Sequence, residues 1–481
     1  MAKLAGIITG NLIWRLMERV GAQGVTFVVS IVLARLLDPA VYGVIALVTV
    51  FTSILNVFVD SGLGNALIQK KGADDIDFST VFYFNLCFCI VLYVALFLAA
   101  PLISAYYNTP ELSPVLRVLG LTVVISGVKN VQQAYVARNL LFKRFFWATL
   151  TGTIGAAVVG IWMAIHGYGV WALVAQGLFN LTVDTLILWI TVKWRPKLVF
   201  SFSRLKGLFS FGWKLLVARL IDTVYLDLRA LIIGKKYSTE DLAFYNKGHQ
   251  FPKLIVTNID ISIESVLFPV MSAKQDDLDQ IKSMLRKVIQ VNSFILCPLM
   301  AGLAVCGEPL IRLLLTEKWV PCVPFLRIFC LVYLFTVFNT ANMNTYRSLG
   351  RSDIYLKVEV LRKIVGFIVI FLTMNFGVYA LAAGEIAVTL ISLIINTHPN
   401  KDILNYGLFG QCFDMLPNFI LTIISATLAY SIIFLRVNDF LTLLIQICIF
   451  ILCYTLLSFY IKPPAYCLLK KVIHDSLKRN S

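Results

Sequence analysis

The sequence predicts an all-α polytopic membrane protein of about 14 transmembrane helices: two parallel six-helix lobes around a central cavity, followed by two further C-terminal helices. Three observations predict it. Of 481 residues, 59% are hydrophobic and only 14% are charged, with a mean hydropathy of +0.83. That is more apolar surface than a soluble core needs, and it suits a bundle of spans about 20 residues long. Apolar runs separated by short polar turns recur along the whole chain. The chain also repeats itself at an offset of roughly 200 to 210 residues.

The apolar runs lie near 11–34, 42–68, 80–104, 115–137, 147–165, 169–192, 208–234, 249–271, 289–307, 323–346, 358–376, 378–397, 413–435 and 439–461. The first continues at full span length with no small-residue cleavage site, so it is expected to be an uncleaved helix and not a signal peptide. With a cytoplasmic N-terminus, about 29 basic residues fall inside and about seven outside, the latter being Arg35, Lys235, Lys236, Lys247, Arg312, Lys318 and Arg436. Both termini are therefore expected in the cytoplasm. The net charge of +16 then reflects basic loops facing anionic lipid; no basic and aromatic face for nucleic acid is visible.

The duplication is collinear. Arg19 matches Arg219, Asp60 matches Asp260, and Asp74-Asp75-Ile76-Asp77 returns as Asp276-Asp277-Leu278-Asp279. Pro114-Val115-Leu116-Arg117 returns as Pro324-Phe325-Leu326-Arg327, and Gly169-Val170-Trp171-Ala172-Leu173 as Gly377-Val378-Tyr379-Ala380-Leu381. Six spans per copy is an even number, so both copies enter the membrane in the same direction. The expected division is 1–197 for the first lobe, 198–400 for its repeat, and 401–481 for two extra helices and a basic cytoplasmic tail, with the basic stretch 193–206 as linker.

Charges inside the spans carry the functional argument. In the first span Arg15, Glu18 and Arg19 fall at i, i+3 and i+4, with Gln23, Thr26 and Ser30 continuing the same side. A central Arg or Lys costs roughly 2.5 to 3.5 kcal/mol on insertion scales, so such a helix is best sheltered from lipid. A shallow position with both arginines snorkelling to headgroups is the plainer account. The repeat of this span clusters Lys214, Asp222, Tyr225 and Arg229, with Arg219 nearby. The next span stacks Lys253, Asp260 and Glu264 on one face, and Lys129, Asp184 and Glu385 are further charges at membrane depth. Internal ion pairs, Arg219 with Asp222 and Lys253 with Asp260, would account for some of them structurally. The excess of cations, Arg15, Arg19, Lys214, Arg219 and Lys253, is what an anionic headgroup such as a diphosphate would seek. Asp60, Asp222, Asp260 and Glu264 are the candidates to carry a coupling proton or sodium ion.

Absences narrow the chemistry further. There is no G-x-x-x-x-G-K-[ST] phosphate loop. The four histidines, His166, His249, His398 and His474, show no metal-binding spacing, and the ten cysteines lie mostly within apolar runs. The longest polar connections, about twenty residues, are too short for an extramembrane catalytic domain. Transport fits better than catalysis, with no catalytic residue, metal or cofactor expected.

The runs Ser30–Phe51 (SIVLARLLDPAVYGVIALVTVF), Asp60–Asn85 (DSGLGNALIQKKGADDIDFSTVFYFN), Tyr135–Arg144 (YVARNLLFKR) and Gly167–Gln176 (GYGVWALVAQ) resemble the bacterial polysaccharide transporters that flip lipid-linked oligosaccharides. So do Leu231–Gly248 (LIIGKKYSTEDLAFYNKG), Phe268–Asp277 (FPVMSAKQDD) and Thr316–Pro321 (TEKWVP). These transporters belong to the multidrug, oligosaccharidyl-lipid and polysaccharide exporter superfamily, and the similarity is greatest to their colanic-acid and lipopolysaccharide-biosynthesis branch. It covers nearly the whole chain up to about residue 400. Small departures occur where the family has L-G-x-Y and this chain reads Leu242-Ala243-Phe244-Tyr245, and at Asp38-Pro39, where the family has Gly before Pro.

The resemblance implies alternating access and an undecaprenyl-diphosphate-linked oligosaccharide as substrate, flipped across the bacterial inner membrane for surface polysaccharide synthesis. It also implies membrane lipid, a polysaccharide polymerase and a chain-length regulator as partners. A drug or metabolite exporter of the same architecture is the nearest alternative; a membrane polysaccharide polymerase or glycosyltransferase is the other.

Overall fold

The computed structural model describes residues 21–60, 62–70, 72–139, 141–435 and 437–480, with the side chains of 142, 210, 211, 214, 215, 472–477, 479 and 480 left out of the description. The regular structure among the described residues is helical throughout. The chain divides into two compact units, Met1–Ala243 and Phe244–Ser481.

Unit 1 holds α1 (described from Gly21 to Leu36), α2 (Pro39–Asp60), α3 (Leu63–Gln69), α4 (Asp75–Tyr107), α5 (Leu112–Leu119), α6 (Leu121–Arg138), α7 (Phe142–Ile165), α8 (Val170–Thr191) and α9 (Phe202–Lys236). The boundaries follow local chemistry. Pro39 opens α2, where its fixed φ suits the first helical position. Asp74 caps α4 by accepting from the backbone N–H of Ile76 and Asp77, while the Asp77 carboxylate accepts from the Asp74 N–H, a complete capping box. Asn108, in the left-handed region at φ 54°, ends the same helix. Between α2 and α3 the chain breaks at Gly62, φ 68°. A Cβ there would lie 2.6 Å from the carbonyl oxygen of Gly212 on α9, so both the backbone conformation and the close approach require glycine.

One core of unit 1 gathers Leu63, Leu67, Phe78, Val81, Val131 and Leu188, with Trp194 closing it from the α8–α9 connection. The indole of Trp194 stacks on Tyr135 and meets Phe78. The basic connection expected as a linker is thus held down: Lys197 N–H donates to Ser79 Oγ and Ser201 N–H to Thr80 Oγ1. Elsewhere α7 and α8 approach closely because Gly152, Gly155 and Gly160 leave room for Asn180, Phe179 and Gln176, the small-residue packing favoured in membranes.

The boundary between units falls inside α10 (Thr239–Ser272), later than the repeat register at 197/198, because α9 packs along α2, α3 and α4. Compactness and sequence register measure different things, and α9 is where they part.

Unit 2 continues from α10 with α11 (Leu278–Leu315), α12 (Val323–Leu334), α13 (Thr336–Ser348), α14 (Ser352–Thr373), α15 (Val378–Leu404), α16 (Leu408–Tyr430), α17 (Asp439–Ile461) and α18 (Pro464–Asn480). Asp277 caps α11 as Asp74 caps α4, so both copies of the acidic motif start a helix. Long α11 is the post of this unit, packed by α12, α13, α16 and α17. The two helices expected outside the repeat, α16 and α17, are fastened to it by polar groups as well as apolar ones. Asp414 on α16 accepts from Arg286 and Gln290 of α11 and from the Tyr406 hydroxyl, and Asn418 donates to Ser293 Oγ. Gln411 and Asn342 exchange two amide hydrogen bonds of 2.9 Å, and both side chains are fully buried. The tail expected after residue 461 contains a helix, α18, whose Ala465 is buried and whose Tyr466 ring meets Phe294 on α11.

From the second stretch on, the expected apolar runs coincide with a helix or a pair of successive helices, and the described part of the first, from residue 21, is helical. Among the described residues, eleven helical segments are long and apolar enough to cross a membrane by length and composition; α9 and α14, richer in charge, are not among them.

Candidate functional site

Unit 1 contains a cavity of about 620 Å³ whose wall is polar although most of the helices around it, α2, α3, α6, α7 and α8, belong to segments apolar enough to cross a membrane. Asp60 comes from the end of α2, Asn65 from α3, Lys129, Asn130 and Gln133 from α6, Thr149 from α7, Asp184 from α8 and Arg219 from α9. The four charged groups form two ion pairs between helices. Lys129 Nζ donates to Asp184 Oδ2, and Arg219 Nη1 donates to Asp60 Oδ2 at 2.9 Å. Asn130 Nδ2 donates to Asp60 Oδ1 and to the carbonyl of Val59, both at 3.2 Å, and Gly64 leaves the space in which the Asn130 amide sits.

The two pairs differ in exposure. The side chains of Lys129 and Asp184 are 14% and 11% exposed, those of Arg219 and Asp60 61% and 50%. The first pair belongs to the buried wall and the second to the open rim. A charge at membrane depth is tolerated when it is paired and faces a cavity, and all four meet both conditions. The fixed charges of this cavity sum to zero. About two turns away from the rim, Ser53 Oγ donates to Asp227 of α9 at 2.5 Å, a second polar tie between α2 and α9.

The residues singled out from sequence are distributed as follows. Arg15 and Arg19 lie outside the described residues, and Lys214 lies within α9 at a position whose side chain is not described. Arg219 and Asp60 come together directly, so Arg219 reaches across to α2 and not to Asp222 as a local pairing would have it. Asp222 is exposed on α9. In unit 2, Asp260 accepts from Thr340 Oγ1 at 2.8 Å, in place of the Lys253 partner a local pairing suggests. Glu264 pairs with Arg347, whose guanidinium also lies over the Phe268 ring, and Lys253 is exposed. The amide and hydroxyl residues Asn65, Asn130, Gln133 and Thr149 went unremarked in the sequence. The signal was there in α6, where Lys129 and Gln133 stand four apart on one face.

A second cavity, of about 580 Å³, is lined in part by Gln69, Lys70, Ser203 and Arg204. Its cations are committed: Lys70 to the fully buried Asp77, and Arg204 to Asp74 and Asp77. The Arg204 hydrogen bond, helped by the backbone N–H groups, holds the Asp74 carboxyl down at about 2. Nearby, Asp75 raises the Lys197 ammonium. These ionic groups tie the start of α4 to the α8–α9 connection and to the first turn of α9. Among the described residues no cluster of His, Cys, Asp and Glu suited to a metal ion occurs.

The family model of polysaccharide biosynthesis proteins matches residues 32–324. The succinoglycan biosynthesis transport protein ExoT of Rhizobium meliloti is 24% identical over 328 residues, 68% of this chain and 66% of the relative. The teichuronic acid biosynthesis protein TuaB of Bacillus subtilis is 26% identical over 313 residues, 64% of this chain and 63% of the relative. These two alignments therefore span a little under two thirds of either relative. The lipopolysaccharide biosynthesis protein WzxC of Escherichia coli is 25% identical over 390 residues, 80% of this chain and 78% of the relative. In fold, the chain is similar to the lipid II flippase MurJ in an inward closed conformation, with a TM-score of 0.76 at 14% identity over 94% of this chain and 98% of that one. It is also similar to an inward-facing multidrug resistance MATE family transporter, with a TM-score of 0.58 at 15% identity over 82% and 94%. The chain belongs to the polysaccharide biosynthesis protein family, as a multi-pass membrane protein with the fold of the flippases and exporters of the multidrug, oligosaccharidyl-lipid and polysaccharide superfamily.

Proposed function

We propose that the protein flips undecaprenyl-diphosphate-linked oligosaccharide repeat units across the bacterial inner membrane by alternating access, for the synthesis of a surface polysaccharide. The observation that carries this reading is a polar cavity with two interhelical ion pairs, lined mostly by helices apolar enough to span a membrane, in a chain whose relatives are named for polysaccharide biosynthesis and transport. A hydrophilic headgroup needs such a lining at membrane depth, and lipid alone does not supply it.

In this reading the cations of the first and seventh spans, Arg15, Arg19, Lys214 and Arg219, hold the diphosphate, and Lys253 is assigned to the same substrate. Asp60, Asp222, Asp260 and Glu264 are the groups through which a proton or sodium gradient would bias the cycle. Arg219 is held by Asp60 at 2.9 Å, so an arriving phosphate competes with the carboxylate for the guanidinium, and a proton or cation on Asp60 would tip that competition. Both termini face the cytoplasm, and a polymerase and a chain-length regulator would take up the product.

The test is complementation of a strain lacking the protein. Arg219→Ala and Arg15→Ala should abolish surface polymer while the protein persists in the membrane. Normal polymer from both variants would refute the diphosphate assignment. The MATE-like fold also suits a drug exporter. That alternative predicts a resistance profile on expression and no polymer defect on deletion.

A further inference from the structure

The buried half of the unit 1 cavity does not look built for phosphate. Its one cation, Lys129, is already spent on Asp184, and this pair is far less exposed than the Arg219–Asp60 pair at the rim. A diphosphate pushed against this wall would meet no net positive charge, and the carboxylate of Asp184 would repel it. Neutral groups that both donate and accept hydrogen bonds face no such penalty.

The rest of the wall suits groups of that kind. Asn130, Gln133 and Thr149 supply amides and a hydroxyl, and the Gln133 amide makes no hydrogen bond to the described residues. Asp184, 8% exposed, has one oxygen on Lys129 while the other, Oδ1, is buried with no hydrogen-bond partner among the described residues. A buried carboxylate oxygen without a donor is costly to keep, which makes it a strong acceptor for a hydroxyl brought by a ligand. The volume of about 620 Å³ is in the range of organic-ligand sites.

We infer that this wall is a sugar subsite. Asp184 and Gln133, with Lys129 and Asn130 beside them, bind hydroxyls of the saccharide carried on the lipid, while the diphosphate stays toward the rim at Arg219. The inference rests on the reading that the chain carries a lipid-linked saccharide, and it assigns the part of the substrate that this cavity recognises.

The test uses the purified full-length protein in lipid nanodiscs and two probes, undecaprenyl diphosphate and undecaprenyl diphosphate bearing one hexose. The wild type should bind the hexose-bearing lipid about tenfold more tightly, the equivalent of one or two hydrogen bonds to a charged or amide partner. Gln133→Leu and Asp184→Asn should each bring that ratio close to one with the bare lipid still bound. Gln133→Leu breaks no hydrogen bond of the protein, so it decides the matter even where Asp184→Asn fails to fold. A wild-type ratio of one, a ratio retained in Gln133→Leu, or an equal loss of both lipids would overturn the subsite. Binding of neither lipid by the wild type would overturn the translocation reading itself, and the subsite with it.

Discussion

Arg219 of α9 donates to Asp60 at the last residue of α2, and seven residues earlier on α9 the Gly212 backbone lies against Gly62, where α2 gives way to α3. Seven residues are two helical turns, so the ion pair and the glycine contact sit on one face of α9 and clasp the α2–α3 break from both sides. The pair itself is half exposed, and exposed pairs contribute about 0 to 1 kcal/mol. Glycine packing at the break is therefore the structural part of the clasp, and the ion pair is free to serve the substrate.

Gly62→Ala tests the structural part. A left-handed φ of 68° costs a residue with Cβ about 1 to 2 kcal/mol, and the new methyl would also collide with the Gly212 backbone. The variant should unfold at distinctly lower temperature in detergent than the wild type, whereas Gly72→Ala, also at positive φ but with open space around it, should lose only the backbone part. Equal losses in the two variants would show that the α2–α3 break does not press on α9.

The amide pair Asn342–Gln411 makes a separate prediction for unit 2. Gln411→Leu removes both hydrogen bonds to Asn342 and leaves a fully buried amide short of partners, a loss of about 1 to 3 kcal/mol. Asn342→Leu combined with Gln411→Leu should recover part of it, because two apolar groups leave nothing unsatisfied between them, the remainder being the buried Asn400 amide that loses Asn342 as its acceptor. Thermal unfolding of the single and double variants measures the coupling; strict additivity would deny that the two side chains act as a pair.

How much of this was legible beforehand depended on the range of the interaction. The spans were legible because insertion into lipid imposes a length and an apolarity on every one of them. The acidic motifs at 74–77 and 276–279 were legible as a repeat, and their work as helix caps became plain only with backbone in place. Lys129 and Asp184 stood out as isolated charges, yet their meeting joins residues 55 apart in the chain. Arg219 was paired on paper with Asp222, three residues on, when its partner Asp60 lies 159 residues away. The amides of the cavity and of the α13–α16 contact carry no charge, so nothing in an apolar stretch marked them as buried until their neighbours were known.

At the start of α4, acid should loosen a local tie. Asp74 is held at about 2, below its ordinary value of 3.8, chiefly by the hydrogen bond from Arg204. A carboxyl depressed in the folded protein adds stability that is fully present above its unfolded value near 4 and is lost as pH falls through about 2. Arg204→Gln should therefore flatten the fall in stability between about pH 4 and pH 2 that the wild type shows. Hydrogen exchange of the first turn of α4 at those two pH values would read it locally, and an unchanged pH dependence in the variant would remove Arg204 as the cause.

Lys129 and Asp184 allow stability and transport to be separated at the buried wall. Lys129→Met alone leaves the Asp184 carboxylate buried without its partner, and breaking a buried pair from one side costs about 3 to 5 kcal/mol, so this variant should be poorly folded and scarce in the membrane. Replacing both residues, Lys129→Met with Asp184→Leu, removes the two charges together, and apolar side chains of similar size in place of a buried pair are often neutral or stabilising. The double variant should return to wild-type abundance and thermal stability. If the pair only held α6 to α8, the double variant would also restore surface polymer. If the pair faces the transported headgroup, polymer stays absent although the protein is present. Abundance by immunoblot and polymer by gel, read on the same cells, decide between these outcomes, and full restoration of polymer would confine Lys129 and Asp184 to a structural role.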